Sequence, residues 1–314
     1  MTGTWFCLMG PTAIGKTDLA CELLQHFPCE IISIDSAMIY RDMDIGSAKP
    51  DLAVLAQAPH HLIDILSPEE TYSAAQCCTD VLRCAQEIEA RGNIPLLVGG
   101  TMMYFRALQQ GLSTLPTADP VIRNAFVTQA QEHGWDYVHQ QLTEVDPQAA
   151  ARIHPHDTQR ILRALEVFTL TQQPLSIWQQ TTQQSIDRKF INLILMPEER
   201  NWLHERIADR FKEMVAGGLI DEVQHLRQKY TLTATHPSMR CVGYRQVWDY
   251  LQDHNDLTLL TEKGIAATRQ LAKRQMTWLR HWPDGHVFSV TETMNHREMI
   301  AFMQQITDNP RKSS

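Results

Sequence analysis

Near the start of the 314-residue chain, Gly10-Pro11-Thr12-Ala13-Ile14-Gly15-Lys16-Thr17 spells G-x-x-x-x-G-K-T. Residues of these types at this spacing cradle a phosphate chain. Backbone N–H groups wrap the anion at a helix N-terminus, the lysine adds a point charge, and the threonine hydroxyl reaches a magnesium ion. The competing interpretation, a Gly/Pro surface turn, does not explain the flanks. Thr4–Met9 is an apolar run suited to a buried parallel strand, and Leu19, Ala20, Leu23, Leu24 and Phe27 recur at helical spacing. Asp35 closes a second apolar run, Ile31–Asp35. Such a carboxylate can hold Mg²⁺, can act as a general base beside the phosphates, or can merely cap the following turn. Gly99-Gly100-Thr101 closes a third run. Its two glycines would let backbone approach a ligand and Thr101 would offer a hydroxyl, or the tripeptide is a tight turn into a helix.

Positive charge gathers elsewhere. Arg269, Lys273 and Arg280 fall within about 40° of one another on a helix. No acid interrupts Arg269–His281, Arg240 and Arg245 flank Cys241-Val242-Gly243-Tyr244, and Arg160 and Arg163 lie a turn apart. A single stripe is commonly a solvated face. Several with interleaved aromatics (Tyr244, Trp248, Trp278, Trp282) suggest a nucleic-acid backbone as partner.

The elements that must position these groups alternate through residues 1–116. Strand, loop and helix lead to Glu30–Ile34, a loop over Arg41–Pro59, a further strand at His60–Leu66, a helix over Tyr72–Arg91 and the strand Leu96–Val98. This pattern predicts an α/β fold, a P-loop NTPase-like parallel sheet flanked by helices, with ligands at the carboxyl ends of the strands. The loops after three strands should therefore face one crevice. After Pro116 the pattern becomes wholly helical, with Asp119-Pro120 and Asp146-Pro147 as N-cap and N1 signals. The predicted organisation is a catalytic core of residues 1–116 and 190–314, interrupted by a helical insertion domain, 117–189. The strand Phe190–Met196 returns to the sheet. Helices with a break at Gly217-Gly218, two more over about 240–252 and 262–281, the strand Val287–Val290 and a last helix complete the core.

Composition narrows the class. The chain is 43% hydrophobic and 20% charged, and no run of eighteen apolar residues suggests a membrane span. The first strand begins too early for a signal peptide. Seven cysteines without a C-x-x-C pair argue against a disulfide framework or zinc site and fit a cytoplasmic protein. His60-His61 and His154/His156 have no ligand partners at metal spacing. The net charge of −8 opposes nucleic-acid binding only on average, since the basic residues are clustered.

GPTAIGKT together with DSAMIYR (35–41), PHHLID (59–64), YSAAQ (72–76), VGGTMMY (98–104), DTQRILRALEV (157–167), RCVGYRQ (240–246) and IAATRQLAKRQMTWLR (265–280) resembles the bacterial tRNA dimethylallyltransferases, also called tRNA isopentenyltransferases. The resemblance runs through nearly the whole chain, weakest over 168–188 and the C-terminal tail, and lacks the zinc finger of some eukaryotic relatives. It implies transfer of a dimethylallyl group from its diphosphate to N6 of adenosine 37, 3′ of the anticodon, in tRNAs reading codons that begin with U. It implies Mg²⁺ at Thr17, with Thr12–Thr17 holding the diphosphate and Gly10 and Pro11 completing the loop. Asp35, Thr101 and Lys16 become the catalytic residues. Contacts to tRNA are implied for Asp35-Ser36-Ala37-Met38, Thr101, Arg123, Gln159-Arg160-Ile161-Leu162-Arg163, Arg240–Arg245, and Lys273-Arg274-Gln275-Met276-Thr277-Trp278-Leu279-Arg280. The chain is expected to be a monomer. Met38, Met102 and Met103 are candidates for the prenyl pocket, core packing being the alternative. Two rivals remain open on residues alone: a small-molecule or nucleoside kinase, and an RNA-stimulated NTPase without a covalent product.

Overall fold

The computed structural model describes residues 3–111, 115–180, 186, 188–253, 256–291 and 296–308. Two compact units emerge, Met1–Ala107 with Asp187–Ser314, and Leu108–Ile186.

The first unit is built on strands β1 (Thr4–Met9), β2 (Cys29–Ile34), β3 (His60–His61), β4 (Ile94–Gly99), β5 (Lys189–Pro197) and β6 (Gly285–Val290). They form one parallel sheet in the order β3-β2-β4-β1-β5-β6. β1, β2 and β4 are almost continuously apolar because helices cover both faces of a parallel sheet. Helices α1 (Lys16–His26), α2 (Leu52–Gln57), α3 (Ala74–Ala90) and α4 (Met102–Gln110) alternate with the early strands. α3 begins with a capping box in which Ser73 accepts from the Gln76 N–H and Gln76 reaches back.

Register sets the site. Met9 and Ile34 both pair with Gly99, so β1, β4 and β2 end at one level. Gly10, Gly100 and Asp35 are therefore neighbours at the carboxyl edge, as the alternating pattern requires.

The second unit holds α5 (Pro120–His133), α6 (Trp135–Val145), α7 (Pro147–Ala150), α8 (Thr158–Thr171) and α9 (Leu175–Trp178). Asp119 accepts from the Val121 and Ile122 N–H groups, and Asp146 from that of Ala149, so both Asp-Pro signals cap helices. This unit has its own core, including Val138, Leu142, Ile161 and Leu165. Lys189, placed last in the helical stretch by the sequence, is the first residue of β5.

The chain then runs through α10 (Arg200–Ala216), α11 (Leu219–Lys229), α12 (Tyr244–Asp253), α13 (Leu257–Arg280), β6 and α14 (Arg297–Asp308). α10 packs against α13 where Gly264 lies on the Phe211 ring; a Cβ there would sit 1.9 Å from Phe211 Cζ.

Two local expectations need correction. The strand over His60–Leu66 shrinks to two residues, because Leu62 and Asp64 adopt left-handed φ values of 65° and 57° that turn the chain out of the sheet. The loop over Arg41–Pro59 contains α2, capped by Asp51 Oδ1 accepting from the Val54 N–H at 2.8 Å.

Candidate active site

The phosphate loop forms where β1 meets α1. Gly15, the residue before α1, has φ 98°, a left-handed conformation that glycine adopts at no steric cost. Lys16 folds back over the loop, its Nζ donating to Gly10 O at 3.0 Å and Pro11 O at 2.9 Å. Burial lowers its ammonium to about 8, against the charge of Asp35, while Arg210 lowers it further. Thr17 follows in the first turn of α1, half-buried.

Two arginines that the sequence analysis missed complete this cradle. From α10, Arg206 Nε donates to Ala13 O at 3.0 Å and Arg210 Nη2 to Thr12 Oγ1 at 2.6 Å. Their spacing puts both on one helix face. Burial lowers the Arg210 guanidinium, opposed by Asp35 and reinforced by Arg206. Cations crowded at a backbone loop, with Lys16 and Arg210 desolvated and Arg206 exposed, are arranged for an anion. The available signal was the R-x-x-x-R spacing within α10, the helix that follows the strand beside β1.

Asp35 sits at the end of β2. Its Oδ1 accepts from the Ala37 N–H at 2.8 Å and the Met38 N–H at 3.3 Å, so it does cap the following turn. Oδ2 has no hydrogen bond among the described residues and remains able to take a proton or a metal. Thr101 reaches across the sheet edge rather than capping α4: its Oγ1 accepts from the Ser36 N–H at 3.2 Å, and its own N–H donates to Ile34 O at 3.3 Å. Tyr104 and Cys241 are near enough for the Asp35 charge to add to the burial that raises both, the thiol to about 12.

The double glycine is required by packing at the sheet edge. A Cβ on Gly99 would lie 2.0 Å from Ile34 O, and one on Gly100 would lie 2.4 Å from Gln275 Nε2.

The implied RNA-contacting residues divide by exposure. Lys273, Arg274, Thr277, Trp278 and Arg280 are exposed on α13, with the Arg106 guanidinium 5.7 Å from the Trp278 ring. Met276, Leu279 and Gln275 face inward. Arg269, expected on the charged stripe, instead turns to α10 and donates to His204 O at 3.2 Å. Arg240 and Arg245 are exposed, Cys241 and Val242 half-buried and Gly243 buried. Tyr244 and Trp248 are core residues: the Tyr244 hydroxyl donates to Glu222 Oε1 at 2.6 Å, so neither ring is free to stack on a base. Ser36 is exposed, and Ala37 and Met38 are half-buried. In the helical unit Gln159 and Arg160 are exposed, Ile161 is buried and Leu162 half-buried, while Arg123 and Arg163 both bind Glu166. Met102 is a core residue and Met103 is exposed.

A phosphate loop at the switch point of a parallel sheet, with a carboxylate beside it, places the chain among proteins of P-loop fold. Its family is specific: the model of the IPP transferase family matches residues 38–282, and the chain belongs to that family. It is 58% identical over 305 residues to the tRNA dimethylallyltransferase of Legionella pneumophila (strain Corby), covering 97% of each chain. It is 58% identical over 273 residues to that of Alkalilimnicola ehrlichii, covering 87% of this chain and 86% of the relative. Among solved structures, the full-length tRNA isopentenylpyrophosphate transferase of Bacillus halodurans has a TM-score of 0.72 at 32% identity, with 99% of each chain covered. The family match begins after the phosphate loop, while the match to the Bacillus halodurans structure covers 99% of this chain.

Proposed function

We propose that the chain transfers the dimethylallyl group of dimethylallyl diphosphate to N6 of adenosine 37, next to the anticodon of tRNAs reading codons that begin with U, and releases pyrophosphate. The observation that carries this reading is the cluster of Lys16, Arg206 and Arg210 on one phosphate loop, beside the unpaired Oδ2 of Asp35.

The residues divide the work. As the allylic C–O bond breaks, its electron pair leaves on the pyrophosphate. Loop amides, Lys16 and Arg210 stabilise that charge. The C–N bond forms from N6, a poor nucleophile whose lone pair is delocalised into the ring. Asp35 accepts the N6 proton as that bond forms. The Thr101 hydroxyl, held at the Ser36 N–H, orients the amine or the departing phosphate. A stacked base cannot reach this edge, so the adenosine is flipped out of its loop.

The donor set fits Mg²⁺. Thr17 offers a hydroxyl at the diphosphate cradle, and among the described residues no cluster of three His, Cys, Asp or Glu side chains competes for the role. A Mg²⁺ that draws its remaining ligands from diphosphate and water suits so sparse a set, and it would neutralise leaving-group charge. The exposed stripe Lys273, Arg274 and Arg280, with Arg240 and Arg245, supplies the phosphate-backbone contacts. Gln159 and Arg160, exposed in the helical unit, add to them, that unit acting as an RNA-binding insertion. All groups assigned to the chemistry come from one chain, so a monomer suffices, working in the cytoplasm where tRNA is modified. Among the described residues no helix is long and apolar enough to cross a membrane.

The test is to incubate the protein with unmodified tRNA, Mg²⁺ and labelled dimethylallyl diphosphate. Label in the anticodon loop is expected. Absence of label together with γ-phosphate release from ATP would replace this reading with a kinase or an NTPase.

A further inference from the structure

Residues Lys273–Arg280 look from sequence like one RNA-contacting run, but Gln275 departs from it. Its side chain is 9% exposed and turns away from the charged face. Oε1 accepts from the Thr12 N–H at 2.8 Å, and Nε2 donates to Gly100 O at 2.8 Å. The two partners fix the amide's orientation, since a backbone N–H can only donate and a carbonyl only accept. One side chain thus ties the loop after β1 to the loop after β4.

Its position matters because of what Thr12 and its neighbours hold. The carbonyls of Gly10 and Pro11 receive the Lys16 ammonium, and the Thr12 hydroxyl receives Arg210. Gly100 leaves the space that the amide fills, since a Cβ there would lie 2.4 Å from Nε2.

We propose that Gln275 is a positioning residue for the diphosphate site rather than an RNA contact. By fixing the Thr12 peptide it sets Lys16 and Arg210, so the helix whose outer face meets RNA also shapes the phosphate loop from within. This inference rests on the diphosphate reading above.

The experiment titrates full-length protein with inorganic pyrophosphate, without RNA, and separately measures affinity for unmodified tRNA against salt. Gln275→Ala should weaken pyrophosphate binding about tenfold, as loss of a buried amide that satisfies two backbone groups implies. The tRNA affinity and its salt slope should stay as in wild type. Gln275→Glu provides a readout that simple loss of packing would not give. Protonated, the carboxyl presents the same acceptor and donor; ionised, it sets an acceptor against Gly100 O. Its pyrophosphate affinity, relative to wild type, should therefore recover as pH falls, whereas that of Gln275→Ala should not. Gly100→Ala should mimic Gln275→Ala, and the double variant should be little worse than either. If Gln275→Ala fails to fold, the Gln275→Glu profile and Gly100→Ala decide the matter. Unchanged pyrophosphate affinity with weakened tRNA binding would make Gln275 an RNA contact and overturn the inference alone. Wild-type protein that does not bind pyrophosphate would overturn the diphosphate reading and this inference with it.

Discussion

Two pairs of arginines in this molecule have opposite circumstances. In the helical unit, Arg123 and Arg163 share the fully buried carboxylate of Glu166, at 2.9 and 3.1 Å for Arg123 and 2.5 Å for Arg163, with the Asp119 N–H joining at 2.7 Å. Burial alone would raise that carboxyl, but the hydrogen bonds from Arg123 and Arg163 hold it below its ordinary value. On α10, Arg206 and Arg210 donate to an uncharged carbonyl and an uncharged hydroxyl, and Arg210 is lowered rather than raised. The first pair is already neutralised and holds helices together. Among the described residues the second pair has no carboxylate in ion-pair contact: Arg206 is exposed, and Arg210 is desolvated with only the more distant charges of Asp35 and Glu213 to offset it, which costs stability unless an anion arrives. Buried positive charge marks a site only where the protein has not supplied the partner.

The contrast can be broken at several points. The largest effect is expected at Asp35, the carboxylate beside this second cluster. Asp35→Asn should lower kcat by about 10²–10⁴-fold with tRNA binding retained, as measured by single-turnover prenylation. Loss of Mg²⁺ binding as the main defect would move Asp35 to the metal. Arg210→Gln should reduce kcat/KM for the diphosphate by about 10²–10³-fold without lowering Tm. A drop in Tm comparable to that of a core substitution would place Arg210 with the structural pair.

Glu166→Gln should do the reverse. It should destabilise the helical unit by about 2 kcal/mol, less than a fully enclosed pair would lose because both arginines are partly solvated. Pyrophosphate affinity, read by calorimetry, should not change. A smaller signature lies in pH. Lys16 is charged below about 8 and neutral above it. Metal-free pyrophosphate affinity of wild type, divided by that of Lys16→Arg, should therefore fall as pH rises through that value, by up to about tenfold per unit. A flat ratio would mean that Lys16 keeps its proton throughout. Least in size, Lys273→Ala and Arg280→Ala should each flatten the salt dependence of tRNA binding by about one unit of slope. An unchanged slope would leave that stripe a solvated surface.

The local parts of the site were legible early. The phosphate loop, Asp35 and Thr101 each follow an apolar run, and strand, turn and helix are decided by neighbours a few residues away. Arg206 and Arg210 were not legible, because they meet the loop across 193 and 198 residues of chain. Tyr244 and Trp248 read as surface aromatics beside arginines, yet they pack among Met43, Leu219 and Leu260. Helical spacing alone does not tell which face of α12 is buried. Gln275 was hidden for the converse reason, a polar side chain inside a basic run.

The sequence by itself determined the phosphate loop, the alternation that makes a parallel sheet, the Asp-Pro helix starts and the family resemblance, since each rests on residue types at short spacing. Only tertiary structure decided which of the arginines meet a carboxylate, why Gly99 must be glycine, and which side of α13 faces the loop. Those outcomes depend on burial and on partners brought together by the registers of β1, β2 and β4, and no local pattern encodes the distance between residues far apart in the chain.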